Sequence, residues 1–336
     1  MNKNKESVIN LNEYYQPPES RYLQEQNERR GIKYVGIISG ICVISYVIIQ
    51  NVMSLIVAMT PLGELYFNDP TMQSVVTIFM SIFSLLVPFG IGGMLISRKT
   101  GNQVFNFEKP VSGKLMAFAV PLGFFVCLAG NYVSSIFVNI MSDIGFNLSA
   151  PDFDVPSDIP GRIVYLVSIA VVPALVEEFA IRGAVLQPLR RYGDKFAIIA
   201  SAIIFAVLHG NLIQAPFALI AGIALGYAVC ITNSIWTGVL IHFCNNLYSV
   251  IIEFLIEDIA DEQLLNRIYI ITMIALYAVS ILGSVIFVIV KGKRKLMPSF
   301  TLIPEGQKMK SFLINLPMVI AILIMLKITA ENVSFG

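Results

Sequence analysis

Charge is scarce in this chain: Asp, Glu, Lys and Arg make up 13% of 336 residues, whereas 56% are hydrophobic. A soluble domain carries about 25% charged residues, so an ordinary water-soluble fold is excluded. The 23 basic and 22 acidic residues nearly cancel, which leaves no electrostatic footprint for nucleic acid. Cysteine is sparse as well. Cys42, Cys127, Cys230 and Cys244 all fall in apolar stretches without metal-pair or disulfide-framework spacing, and they read as small buried hydrophobes. Internal repeats and long low-complexity runs are lacking. Scarcest among the ionisable types is histidine, and both copies, His209 in AIIFAVLHGN and His242 in TGVLIHFCNN, lie deep in apolar segments.

What is present is a series of apolar runs near the ~20 residues that cross a hydrocarbon layer. Nine are read, over roughly 34–59, 74–97, 113–141, 162–189, 195–212, 213–232, 235–256, 268–290 and 312–330. The shortest is 195–212. The fold class expected is therefore all-α, a polytopic membrane bundle of about eight or nine transmembrane helices. The polar first 33 residues make the first apolar stretch an anchor rather than a removed signal segment.

The loops alternate in charge. Arg29, Arg30 and Lys33 precede the first span, and Glu64 and Asp69 follow it. Arg98, Lys99 and Lys109 come next, then Asp143, Asp152, Asp154 and Asp158. Arg190, Arg191 and Lys195 mark the following turn, EDIADE the loop at 257–262, and KGKRK the start of the last long loop. Under the positive-inside rule this pattern predicts nine spans with a cytoplasmic N-terminus; the localisation expected is a multi-pass protein of a bacterial cell membrane. Four regions are expected: a cytoplasmic tail at 1–33, two spans at 34–112, a core at 113–256, and two further spans with a basic loop at 257–336.

Ionisable groups are costly in hydrocarbon, about 2.5–3.5 kcal/mol each at a helix centre by insertion scales. Glu177, Glu178, Arg182, His209 and His242 nevertheless sit in such segments within about 65 residues. Glu178 and Arg182 are spaced i, i+4 and can pair, with the acid N-terminal to the cation. Glu177 is turned about 100° away and is left free. Pro173, one turn earlier, cannot donate to the carbonyl of residue 169 and loosens the helix there. Phe205 shares a face with His209, and His242 shares one with Asn246, with Asn245 beside it. Glu177 and His209 lie equally far from the basic turn near Gly193, so antiparallel helices leaving that turn carry both to a depth of about 24 Å. His242 lies only about 12 Å beyond the next turn, a mismatch that a protruding basic turn would reduce.

A carboxylate and an imidazole around one water form a general acid–base pair for hydrolysis. An imidazole beside a carboxamide supplies two donors for an oxyanion. The rival is zinc, since two His and one Glu are a legitimate triad, although H-E-x-x-H is missing. An ion-relay transporter and a non-catalytic membrane scaffold or immunity protein are the other classes open to these residues.

The segments EEFAIRG, FAVLH and HFCNN match E-E-x-x-x-R, F-x-x-x-H and H-x-x-x-N in order. The chain thereby resembles the CAAX protease and bacteriocin-processing (Abi) family, which contains the type II CAAX prenyl endopeptidases. The resemblance runs over roughly 113–256 and is best at 172–248. It implies a glutamate-dependent intramembrane endopeptidase acting on a membrane peptide or protein of CAAX or bacteriocin-leader type. By motif position, Glu177 would activate water with help from His209, while His242 and Asn246 would hold the oxyanion. Glu178 and Arg182 would be supports, Phe205 and Asn245 their neighbours. No cofactor is expected, zinc being the alternative; the partners expected are the substrate and the lipid bilayer, not nucleic acid.

Overall fold

A computed structural model describes residues 18–101, 104–105 and 107–335. Residues 1–17 of the expected tail lie outside it. Eleven helices follow one another among the described residues: α1 (Pro18–Ala58), α2 (Leu62–Asn68), α3 (Pro70–Thr100), α4 (Gly113–Asp143), α5 (Ile159–Tyr192), α6 (Asp194–Leu208), α7 (Ala215–Thr232), α8 (Ile235–Asp258), α9 (Glu262–Lys291), α10 (Glu305–Leu313) and α11 (Leu316–Glu331). Two short strands, β1 (Phe146–Leu148) and β2 (Val333–Phe335), pair antiparallel. The protein is a polytopic helical bundle, as hydropathy requires: in hydrocarbon each backbone polar group must be satisfied within its own segment.

Seven helices are long and apolar enough to span a membrane, or eight if α10 and α11, which meet at a 75° bend, make one broken span. The fifth segment expected, 195–212, is α6. It has 15 residues and a length of about 22 Å, short of the ~30 Å hydrocarbon thickness. It ends at His209 because Gly210 takes a left-handed turn at φ +61° and the 211–214 turn follows. Since α6 and α7 run up and back together, the charge alternation of the loops is unaffected by how deep their turn lies. The first span also begins earlier than expected, as α1 is one continuous helix from Pro18.

Other ends follow local chemistry. Asp69 accepts from the N–H groups of Thr71 (2.8 Å) and Met72 (3.2 Å) and starts α3, with Pro70 in its first turn. Asn315 caps α11 through Met318 N–H at 3.1 Å.

Helix α6 is the hub. Ala197, Ala200, Ser201, Ala202 and Ile204 are fully buried, and their small side chains let α7 pack close, with Gly222 against Ala202. Around it stand α5, α7, α10 and α11, with α1 and α3 beyond, and α4 joins α7, α8 and α9. Exposed Ile, Leu and Val side chains of α1 and α9, such as Ile48, Leu55, Ile274 and Leu282, face outward as a lipid-contacting surface.

The basic end is tied by polar contacts. Arg190 reaches Asp194 (2.8 Å) and Asn233 (2.8 Å), holding the α7–α8 turn against the largely buried 190–194 turn. Ser234 Oγ donates to Glu108 O and Trp236 Nε1 to Phe107 O, so the segment before α4 covers that turn. His242 Nε2 comes within 3.9 Å of Glu177 Oε2 despite their different distances from the turns.

Candidate active site

Helix α5 is interrupted by two π-helical stretches, Val167–Val171 and Phe179–Leu186, which bracket the α-helical turns carrying both glutamates. Such bulges accompany a disturbed hydrogen-bond ladder, and Pro173 supplies the disturbance because it has no N–H to donate. The freed carbonyl has found another donor: Asn246 Nδ2 of α8 donates to Ile169 O at 3.0 Å.

The adjacent carboxylates face different surroundings. Glu178 is fully buried. Its Oε1 lies 3.0 Å from Arg182 Nη1 and 3.2 Å from His242 Nδ1. Arg182, also fully buried, places its guanidinium 4.7 Å from the Phe205 ring centre and extends Nη2 to Gly222 O at 3.5 Å. Gly238 makes room for this pair: a Cβ there would lie 2.5 Å from Glu178 Oε2. Glu177, by contrast, is 26% exposed, and its Oε2 is 3.9 Å from His242 Nε2, too long for a direct hydrogen bond.

Phe205 is the point of contact among the cationic and imidazole groups. Its ring meets His209 edge to face at 4.9 Å and His242 at 5.9 Å. Its carbonyl accepts from His209 Nδ1 at 2.8 Å. A carbonyl only accepts, so Nδ1 carries the proton and the Nε2 of a neutral His209 is a lone-pair base. By the same rule His242 Nδ1 donates to the Glu178 carboxylate. His242 can then donate from Nε2 only as an imidazolium.

Glu177, His209, His242, Asn245 and Asn246 line one cavity of about 490 Å³, walled also by Pro173, Ser168 and Phe205. Glu178 and Arg182 lie behind that wall. Among the polar cavity residues not singled out from the sequence are Asn131, Gln214 and Glu253. Asn131 of α4 donates to Asn245 Oδ1 at 3.3 Å, and Asn245 donates to Asn246 at 3.2 Å, so a chain of amides ends on the Ile169 carbonyl. Asn131 stands alone in the apolar run CLAGNYVSS; a search for lone amides as well as charges would have found it. Gln214 follows the α6 turn. Glu253, which accepts from Tyr165 Oη at 2.8 Å, lies three helical turns beyond His242 on α8. A second cavity of about 600 Å³ between α4, α8 and α9 shares Asn131, Gln214 and Glu253 with the first.

A zinc ion at these positions would need three converging side-chain ligands. Among the described residues, no three His, Cys, Asp or Glu side chains converge as a metal-holding group. One nitrogen of His209 is committed to a carbonyl and one of His242 to Glu178. Each imidazole keeps its Nε2, as a metal-bound histidine also would, so it is the lack of a converging group of three that speaks against the zinc triad.

Glu177, His209, His242 and Asn246 of this cavity lie within the segment 159–248 that matches the family model "Type II CAAX prenyl endopeptidase Rce1-like". Over residues 159–248 the chain is similar to this Rce1-like family. No curated protein and no solved structure gives a significant match to the chain. The Rce1-like domain supports an intramembrane protease of the CAAX type as the general class of activity, in an integral membrane protein with a lipid bilayer around it.

Proposed function

We propose that the chain is an intramembrane endopeptidase in which Glu177 and His209 activate a water and His242 and Asn246 stabilise the oxyanion formed from the scissile carbonyl. The observation that carries this reading is the shared cavity: all four side chains line it inside an apolar bundle, and Glu177, alone of the two glutamates, is open to it. Water attacks the carbonyl carbon as Glu177 takes its proton. The bare Nε2 of His209 is suited to orient that water or to share the proton. The tetrahedral oxyanion accepts from His242 Nε2–H, Glu178 holding the opposite nitrogen, and from the second N–H of Asn246. Collapse breaks the C–N bond, and the proton held by Glu177 passes to the leaving amine.

Glu178 and Arg182 are positioning residues in this scheme. The substrate proposed is a membrane-associated peptide or protein of CAAX or leader type, for which the two adjoining cavities of about 490 and 600 Å³ offer space. No metal takes part.

Glu177→Gln keeps the shape of the side chain and removes the base. Peptide hydrolysis by the purified variant is expected to be lost while its melting temperature stays near that of the parent. Parental turnover in Glu177→Gln would discard the assignment. His242→Ala is expected to lower turnover on the order of 10²–10³-fold. Prolonged treatment with a strong chelator is expected to leave the parental rate intact; inactivation reversed by zinc would replace this mechanism with a metalloprotease.

A further inference from the structure

A second pair of cavities lies at the basic end of the bundle, separate from the candidate active site. One, of about 540 Å³, is lined by Lys195 at the start of α6, by Lys291 at the end of α9 and by Lys295 in the loop beyond. Lys195 and Lys295 are exposed and Lys291 is half-buried. None of the three forms an ion pair among the described residues. The only carboxylate on the lining, Glu305, is held by Lys308 Nζ at 2.6 Å. The cavity therefore presents three uncompensated ammonium groups.

Its wall is built, not loose. Met297 N–H donates to Asp194 Oδ2 at 2.8 Å and Asp194 N–H to Met297 O at 3.2 Å. The fully buried Lys308 donates to Tyr192 O at 2.8 Å and to Ser299 Oγ at 2.5 Å. Leu296 packs on the apolar cluster that contains Phe287. The loop that carries Lys295 is thus pinned to the start of α6 from two sides.

The second cavity, of about 240 Å³, lies between α4, α7 and α9 and is lined by apolar side chains such as Leu122, Val126, Ile223, Ala224 and Phe287. Tyr227 lines both cavities. A cationic chamber thus adjoins, across Tyr227, an apolar slot among the spanning helices. That juxtaposition matches one amphiphile, a phosphate headgroup with its acyl chain attached.

We propose that this composite site binds an anionic phospholipid, its phosphate on Lys195, Lys291 and Lys295 and an acyl chain along the α4–α7–α9 slot. Basic chambers between spanning helices are suited to such headgroups. The bound lipid would join α6, whose far end bears Phe205 and His209, to α9, but the proposal does not depend on the proteolytic reading.

Native mass spectrometry of the delipidated full chain, titrated with phosphatidylglycerol, phosphatidylcholine or inorganic phosphate, tests it. One phosphatidylglycerol per chain is expected to bind in preference to phosphatidylcholine. The combined variant Lys195→Gln, Lys291→Gln, Lys295→Gln should weaken it on the order of 10²-fold. Ile223→Trp, at a side chain 43% exposed on the slot, fills the slot without disturbing the core and should weaken the lipid but not inorganic phosphate. Equal affinity for phosphatidylcholine, or an unchanged constant in either variant, overturns the proposal. Inorganic phosphate that binds as tightly as the lipid overturns it in favour of a free-anion site.

Discussion

Glu177 and Glu178 are neighbours in the sequence and opposites in environment. The buried one is committed on the same oxygen to Arg182 and His242, while Oε2 is buried with no hydrogen-bond partner among the described residues. A buried ion pair contributes little over an apolar pair, but removing one partner strands the other charge, which costs about 3–5 kcal/mol. Glu178→Gln is therefore expected to destabilise by about that amount, with activity falling as folded protein is lost, whereas Glu177→Gln loses activity alone. Denaturant unfolding of both variants beside single-turnover assays separates the two; an equally stable Glu178→Gln protein contradicts the ion-pair account. Much of this contrast was legible in the sequence, since i, i+4 spacing pairs residue 178 with 182 and turns residue 177 aside. The His242 contact with Glu178 was not, because it joins residues 64 apart and local spacing says nothing of such pairs.

Along α5 the informative element is a missing bond. Pro173 frees the Ile169 carbonyl, and Asn246 occupies it. Pro173→Ala returns an N–H to the helix and competes with Asn246 for that acceptor. The helix is expected to be as stable or more so, while turnover falls on the order of 10²-fold, the cost of a misplacement near 1 Å. A thermal midpoint and a turnover number measured on the same preparation check both signs; undiminished turnover would show that Asn246 need not be held by residue 169. The break at Pro173 was readable from the sequence and its partner was not. The end of α6 was missed for a related reason. The apolar run continues beyond His209, so hydropathy carries the segment to residue 212, whereas Gly210 reverses the chain there through its backbone conformation.

At the level of the whole molecule, helical class and membrane residence follow directly from composition and run length. The exact number of crossings does not, because a buried helix such as α6 is as apolar as a spanning one. Loop charge supplies the orientation test. Reporters fused after residue 100 or 295 are expected on the cytoplasmic side and those after 66, 150 or 260 outside; a cytoplasmic signal at 150 would break the alternation on which that orientation depends.

The last described segment of the chain reaches the turn that bears His209. Asn332 Nδ2 donates to Gly210 O at 3.2 Å, and Met325 and Ile328 of α11 pack beside Gly210. Residues 159–248 leave the ribosome some 80 residues before Asn332 does, a delay of roughly ten seconds at ordinary synthesis rates. During that interval all four proposed catalytic side chains already exist, yet the turn beneath His209 lacks its brace. The newborn chain thus passes through the membrane-insertion machinery, among many other unfolded apolar segments, before the fold that holds its site is complete.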